Sequence, residues 1–178
     1  MELTRRDAVA ALATLGAGGT LAGCAAPTAT GPDEDDHDVD TERIREALVA
    51  AAEVVYPSEI TGTATFVETF LEGRLENRAH AVELEATIAT LDELATAWYG
   101  DGFAALSVQD CDQFLREIGS DAAAEEPAGT TAQRVRYYVV NELLLALYAS
   151  PTGGELVGIE NPQGHAGGLD TYHRGPDA

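Results

Sequence analysis

The stretch Thr131-Ala-Gln-Arg-Val-Arg-Tyr-Tyr-Val-Val-Asn-Glu-Leu-Leu-Leu-Ala-Leu-Tyr148 decides how this chain folds. It contains neither Gly nor Pro, and its apolar residues point in nearly every direction around a helix. Such a helix is buried, so the pattern predicts a central helix with the other elements packed around it. Asn141 and Glu142 interrupt the apolar surface. Because buried polar groups need partners, we expect Arg134, Arg136 or loop backbone to satisfy them; the alternative is that they face a cleft or a partner chain.

Shorter amphipathic segments precede that stretch. The sequence predicts helices from about Asp40 to Pro57, from Thr63 to Leu75, from about Ala79 to Tyr99, and from the capping box Ser107–Asp110 to Gly119. Whether the second and third are separate or one bent helix stays open. The residues expected to face the core are Ile44, Leu48, Ala51, Val55, Phe66, Phe70, Leu71, Leu84, Ile88, Leu91, Ala95, Trp98, Cys111, Phe114, Leu115 and Ile118. The predicted fold class is all-α: a compact bundle of about five helices with a long, ordered Gly/Pro-rich C-terminal loop.

The segment Tyr148–Tyr172 follows the central stretch and is rich in glycine and proline. Glycine loses the most entropy on ordering and proline removes a donor, so the composition predicts neither a regular helix nor a central strand. Leu156, Val157, Ile159 and Leu169 nevertheless recur along it, and a freely solvated linker does not need apolar residues. We therefore expect a shaped loop that packs either on the central helix or against a partner.

Three motifs resemble one known family. They are Ser150-Pro-Thr-Gly-Gly, Glu160-Asn-Pro-Gln-Gly-His-Ala-Gly-Gly-Leu and, upstream, Val54-Val-Tyr-Pro-Ser. Together they resemble the gluconate 2-dehydrogenase subunit 3 family, the small non-flavin subunits of membrane-associated, FAD-dependent sugar and polyol dehydrogenases. These are loop motifs without catalytic side chains.

An accessory role is what this resemblance implies. The chain would be a non-catalytic small subunit that docks on, helps fold and co-exports a flavin-dependent (GMC-type) sugar or polyol dehydrogenase subunit. It would bind no cofactor itself, FAD would be on the partner subunit, and a cytochrome or other electron acceptor would be a further partner. The expected docking surface lies in the C-terminal loop, at Tyr148, Ser150, Pro151, Asn161, Pro162, His165, Gly167, Gly168 and Tyr172.

The N-terminus resembles an export signal. Arg5 and Arg6 precede an apolar run, and Leu21-Ala-Gly-Cys24 closes it, so residues 1–24 read as a twin-arginine-type lipoprotein signal outside the fold. Residues 25–40 are expected to be an acidic disordered linker, and residues 41–178 the helical accessory-subunit domain. The predicted partners therefore include the twin-arginine translocase. The predicted location is the outer face of the cytoplasmic membrane, with Cys24 carrying the lipid anchor.

Charge excludes one class of partner. The chain has 10 Lys+Arg, all of them Arg, against 31 Asp+Glu, for a net charge of −21. Such a chain repels nucleic acid and acidic membrane surfaces, so neither is an expected partner. The preferred interpretation is a solvated acidic surface suited to high salt, where screening relieves self-repulsion.

A rival, catalytic function would require a recognisable catalytic motif. The sequence contains no dinucleotide fingerprint, P-loop, Cys-x-x-Cys pair or nucleophile elbow. Glu160, His165, Asp170 and His173 could bind a metal or act as acid and base, but their spacing matches no ligand pattern, so no catalytic or metal residue is predicted. The rivals to an accessory subunit are a free-standing exported lipoprotein that binds a small ligand and an enzyme that uses this loop cluster.

Overall fold

The structure is a computed structural model that describes residues 1–16, 39–156 and 158. Its helices are α1 (Arg5–Gly16), α2 (Thr41–Val55), α3 (Thr63–Arg74), α4 (Arg78–Tyr99), a 3-10 turn (Phe103–Ala105), α5 (Val108–Glu117), α6 (Thr131–Val135), a π-helical turn (Arg136–Asn141), α7 (Glu142–Ala149) and α8 (Pro151–Leu156). The all-α prediction is confirmed. None of the helices in these ranges is both long enough and apolar enough to cross a bilayer.

Local capping signals set most helix ends as predicted. The side chains of Asp40 and Ser107 each accept a hydrogen bond from the backbone N–H three residues on, at 3.0 and 3.2 Å. Asn77 does the same before α4, which answers the open question: the second and third helices are separate. Gly100 ends α4 with φ of 91°, a left-handed conformation that favours glycine.

The central helix, residues 131–149, runs through α6, the π turn and α7 without a break. One side is buried as expected, at Val135, Tyr138, Val139, Leu143, Ala146 and Leu147. The expectation that it is covered all round is wrong. Tyr137, Leu145 and Tyr148 are exposed, because that side of the helix faces solvent in the described part of the chain.

The core is built from large apolar side chains on every neighbouring element. Phe66, Phe70, Phe103 and Phe114 are fully buried, together with the predicted aliphatic positions of α4 and most of those of α2. The predicted core positions Val55 and Ile118 are only partly buried. Each fully buried side chain of this kind contributes about 1.5–3 kcal/mol relative to its exposed state. Trp98 was expected among them but is 51% exposed, since it contacts Phe114 only through an edge-on packing of the rings at 5.5 Å.

The Gly/Pro-rich segment begins with a helix, so the prediction that it cannot be helical is wrong for its first part. Pro151 is the first residue of α8, where its missing N–H costs nothing. Ser150 caps this helix: its hydroxyl accepts from the N–H of Gly153 at 3.0 Å. A Cβ on Gly153 would lie 2.6 Å from the carbonyl carbon of Leu147, so glycine here permits close packing rather than a turn. The predicted ordered loop from residue 159 onward lies outside the described residues.

The N-terminal segment also differs from the expectation that it lies outside the fold. Leu3, Ala8 and Ala11 are buried, and α1 packs against α3, α7 and α8. The physical reason is that small alanine side chains on one face of α1 allow close helix–helix approach. The signal-like sequence therefore has a place on the folded domain, whereas Cys24 and the linker up to residue 38 lie outside the described residues.

Candidate functional site

The most distinctive surface feature is an exposed apolar face on the central helix, formed by Tyr137, Leu145 and Tyr148. These side chains are 37%, 45% and 44% exposed. Single exposed apolar residues are ordinary, whereas two tyrosines and a leucine along one helix make this face a candidate contact surface. Tyrosine in particular is enriched where proteins meet.

The π turn brings this face together. In an uninterrupted α-helix with about 3.6 residues per turn, residues about seven apart share a face. The π turn Arg136–Asn141 widens one turn by about one residue, so residues eight apart share a face across it. Tyr137 and Leu145 are eight apart and thus lie on the same exposed side. Such insertions in helices occur frequently at functional sites.

A partly buried ion pair lies directly beside the π turn, with Arg74 29% exposed. Glu142 is 4% exposed, and both of its carboxylate oxygens accept hydrogen bonds from the guanidinium of Arg74 on α3. The hydrogen bond from Arg74 to Glu142 raises the pKa of the guanidinium, which therefore keeps its charge. The bidentate contact fixes α3 against the central helix.

The partners predicted for the polar residues of the central helix were wrong. Arg134 bonds instead to Glu83 and to Thr87 on α4, at 3.0 Å each, and Arg136 donates to the backbone carbonyl of Asp121. Asn141 donates to Glu125 in the loop before the helix. Glu142 therefore depends on Arg74, a residue 68 positions away that sequence spacing could not single out.

His80 completes a cluster with Glu142, Arg74 and Tyr138. Its Nε2 atom is buried without a hydrogen-bond partner among the described residues and lies 3.7 Å from Glu142 Oε2, while its ring packs 5.6 Å from that of Tyr138. Burial lowers the pKa of His80 below the ordinary value, an effect that Glu142 opposes and Arg74 reinforces. The imidazole is therefore neutral at pH 7.

The burial of His80 leads to a prediction about how the stability of the protein depends on pH. The unfolded histidine takes up a proton near pH 6.5, whereas the folded one resists it, so the unfolded state binds more protons as pH falls below about 6.5. We expect the wild-type protein to lose stability relative to His80→Phe over that window. Urea unfolding of both proteins from pH 8 to pH 5 measures the difference. A constant difference across the range would contradict the prediction.

A surface cleft of about 650 Å³ lies between α2, the 3-10 turn and α5. Two of its charged groups pair with each other: Asp92 accepts from Arg43 at 2.7 Å and also from the N–H of Phe103 at 2.9 Å. At its edge, burial and then the charge of Asp110 raise the pKa of Cys111 to about 11, so the thiol is protonated. Nowhere in the described ranges do three His, Cys, Asp or Glu side chains come together to hold a metal ion.

The predicted docking residues divide into two groups. Tyr148 is exposed, Pro151 is half-buried at the start of α8, and Ser150 is fully buried, where its side chain also donates to Leu147 O at 2.6 Å. Asn161, Pro162, His165, Gly167, Gly168 and Tyr172 lie outside the described residues. Tyr137 and Leu145 were not among the predicted docking residues, because the pattern indicated a helix buried on nearly every side; a π turn is not visible in a hydrophobic pattern.

The family model described as Gluconate 2-dehydrogenase subunit 3 matches residues 42–167. The chain belongs to this family. The family is that of a dehydrogenase subunit, which implies a partnership with a dehydrogenase catalytic subunit. No curated protein and no solved structure matches the chain.

Two of the motifs that carry the subunit 3 resemblance now have structural roles. Tyr56, from the upstream motif, is buried, and its hydroxyl donates to the carbonyl of Leu143 at 3.0 Å, which joins the end of α2 to the central helix. Ser150, from the downstream motif, caps α8. Both motifs hold neighbouring elements on the central helix, the same helix that carries the exposed apolar face.

Proposed function

We propose that this chain is the non-catalytic small subunit of a flavin-dependent dehydrogenase complex, and that the exposed apolar face of Tyr137, Leu145 and Tyr148 docks on the catalytic subunit. FAD is bound by that partner and not by this chain. The substrate class is sugars or polyols, in keeping with the family to which the chain belongs.

The exposed apolar face is the observation that carries this proposal. A dehydrogenase subunit must present a surface to its partner, and this face is apolar, aromatic and backed by a rigid helix. The Arg74–Glu142 pair beside it fixes the helix before binding, which reduces the conformational entropy lost on association. The proposed partner presents a complementary apolar patch, because a charged one would lose its hydration against Leu145.

Export and anchoring form the second part of the proposal. Arg5 and Arg6 are exposed on α1 and accessible to the twin-arginine translocase, which passes folded proteins. A catalytic subunit already docked on this domain would leave the cytoplasm with it, FAD in place. Lipid on Cys24 then tethers the complex to the outer face of the cytoplasmic membrane, with two acyl chains needed for stable binding.

Charge substitution on the exposed apolar face tests the docking. We expect Leu145→Glu with Tyr148→Glu to lower recovery of the flavin subunit by at least about tenfold, because apolar anchors at an interface centre contribute 2 kcal/mol or more. The measurement is flavin absorbance per mole of this chain after purification from native membranes in mild detergent. Surface substitutions barely change stability, so the variant should melt within a few degrees of wild type.

Val108→Glu is the matched control. Val108 is 54% exposed at the start of α5, outside the central helix, and an acidic residue is favourable in a first helical turn. The control should recover the flavin subunit as well as wild type does. Wild-type recovery by the double variant would place the docking surface elsewhere and leave the C-terminal loop as the next surface to test.

A further inference from the structure

The N-terminal helix α1 lies in a groove of the domain that fits it closely. Leu3, Ala8 and Ala11 are at most 2% exposed, and Leu12 and Leu15 pack against the core. Leu3, which precedes α1, is also hydrogen-bonded to the domain: its N–H donates to Thr61 O at 2.8 Å. An isolated helix of about 12 residues is marginal in water, so these contacts are what hold α1 in helical form.

Two glycines of the domain make room for this segment. A Cβ on Gly73 of α3 would lie 2.7 Å from Leu12 Cδ1, and a Cβ on Gly62 would overlap the carbonyl oxygen of Leu3. Gly62 also has a φ of 79°, a left-handed conformation that favours glycine in itself. Glycine within a helix costs about 0.5–1 kcal/mol relative to alanine, and at Gly73 it allows the close approach of Leu12. The groove thus has a shape matched to the N-terminal segment.

A buried carboxylate makes the contact polar as well as apolar. Asp7 is 6% exposed and accepts from the N–H and the hydroxyl of Thr152 on α8, at 3.1 and 2.8 Å, and from Thr4. Burial alone would raise the pKa of Asp7, but these hydrogen bonds outweigh it and hold the pKa below the ordinary value. The carboxylate is therefore charged and has four donors directed at it.

The opposite side of α1 remains open. Arg5 and Arg6 are exposed, as is Val9. We infer that the groove formed by α3, α7 and α8 is a binding surface for this chain's own N-terminal helix, which covers the apolar face of the export signal on the folded domain while the arginine pair stays accessible. Display of the signal is thereby coupled to folding of the domain. The export part rests on the proposed function, whereas the docking does not.

Hydrogen exchange on the purified full-length precursor tests the docking directly. We expect amides of residues 8–12 to exchange at least about tenfold more slowly than in an unstructured peptide, because only docking keeps so short a helix formed. Gly73→Leu should abolish that protection while amides of α4 remain protected. Leucine is a better helix former than glycine, so the substitution should not unfold α3 itself. Adding Leu12→Ala to Gly73→Leu removes the side chain that collides and should restore part of the protection.

Two further variants exclude a general effect of substitution. Ala64→Leu introduces the same side chain at an exposed position of α3 and should leave residues 8–12 protected. Thr152→Val removes the hydroxyl donor to Asp7 and should increase the exchange rate of amides 8–12 about fivefold. Unprotected residues 8–12 in wild type, or equal protection in wild type and Gly73→Leu, would overturn the docking. If residues 8–12 exchange slowly in wild type and Gly73→Leu is nevertheless exported normally, only the coupling to export is overturned.

Discussion

Glu142→Leu is expected to lower the free energy of unfolding by about 3 kcal/mol, because it leaves the guanidinium of Arg74 beside the core without its anion. Glu142 is buried, and its two oxygens are the acceptors that neutralise Arg74. Breaking such a pair costs more than removing both members, since the remaining charge keeps its desolvation penalty. Chemical denaturation at pH 7 measures the change.

The double variant Arg74→Met with Glu142→Leu separates the lost charge from lost packing. It should recover most of the stability, because two apolar side chains of similar volume replace the pair. Arg116→Ala breaks an exposed pair with Asp112 and should change stability by less than about 1 kcal/mol. If the double variant were as unstable as Glu142→Leu alone, the ion pair would not be the determinant.

Gly153→Ala is expected to cost about 3 kcal/mol although it adds one methyl group. The new Cβ would lie 2.6 Å from the carbonyl carbon of Leu147, and backbone atoms cannot rotate away as a side chain can. The substitution must therefore push α8 off α7, which also separates Thr152 from Asp7. Thermal unfolding followed by circular dichroism measures the loss.

Gly102→Ala provides the comparison for this prediction. Its Cβ would lie 3.5 Å from Asp92 Oδ1, an ordinary van der Waals contact, and its φ of −65° suits any residue. It should be neutral or slightly stabilising, since alanine has less freedom to lose on folding. A Gly153→Ala protein as stable as Gly102→Ala would show that the close approach of α8 is not required.

The surface that carries the proposed function was only half predictable. Tyr148 was assigned to it from the sequence, whereas Tyr137 and Leu145 counted only as part of a helix that is apolar nearly all round and was therefore expected to be buried. Which side of the helix faces solvent depends on the π turn, which shifts the helix register by about one residue. The composition of Arg136–Asn141 does not indicate a π turn, because such a turn depends on how the flanking helices pack.

The sequence by itself determined where the helices α2 to α5 begin and end and which stripe of each is apolar, but not that α8 forms within the Gly/Pro-rich segment. Capping at Asp40 and Ser107 and termination at Gly100 follow from hydrogen bonds within one turn, so neighbouring residues suffice to predict them. The tertiary structure alone decided which distant groups meet. Arg74 with Glu142, and Asp7 with Thr152, are pairs joined across the fold. Their energies depend on burial, which exists only once the helices have packed.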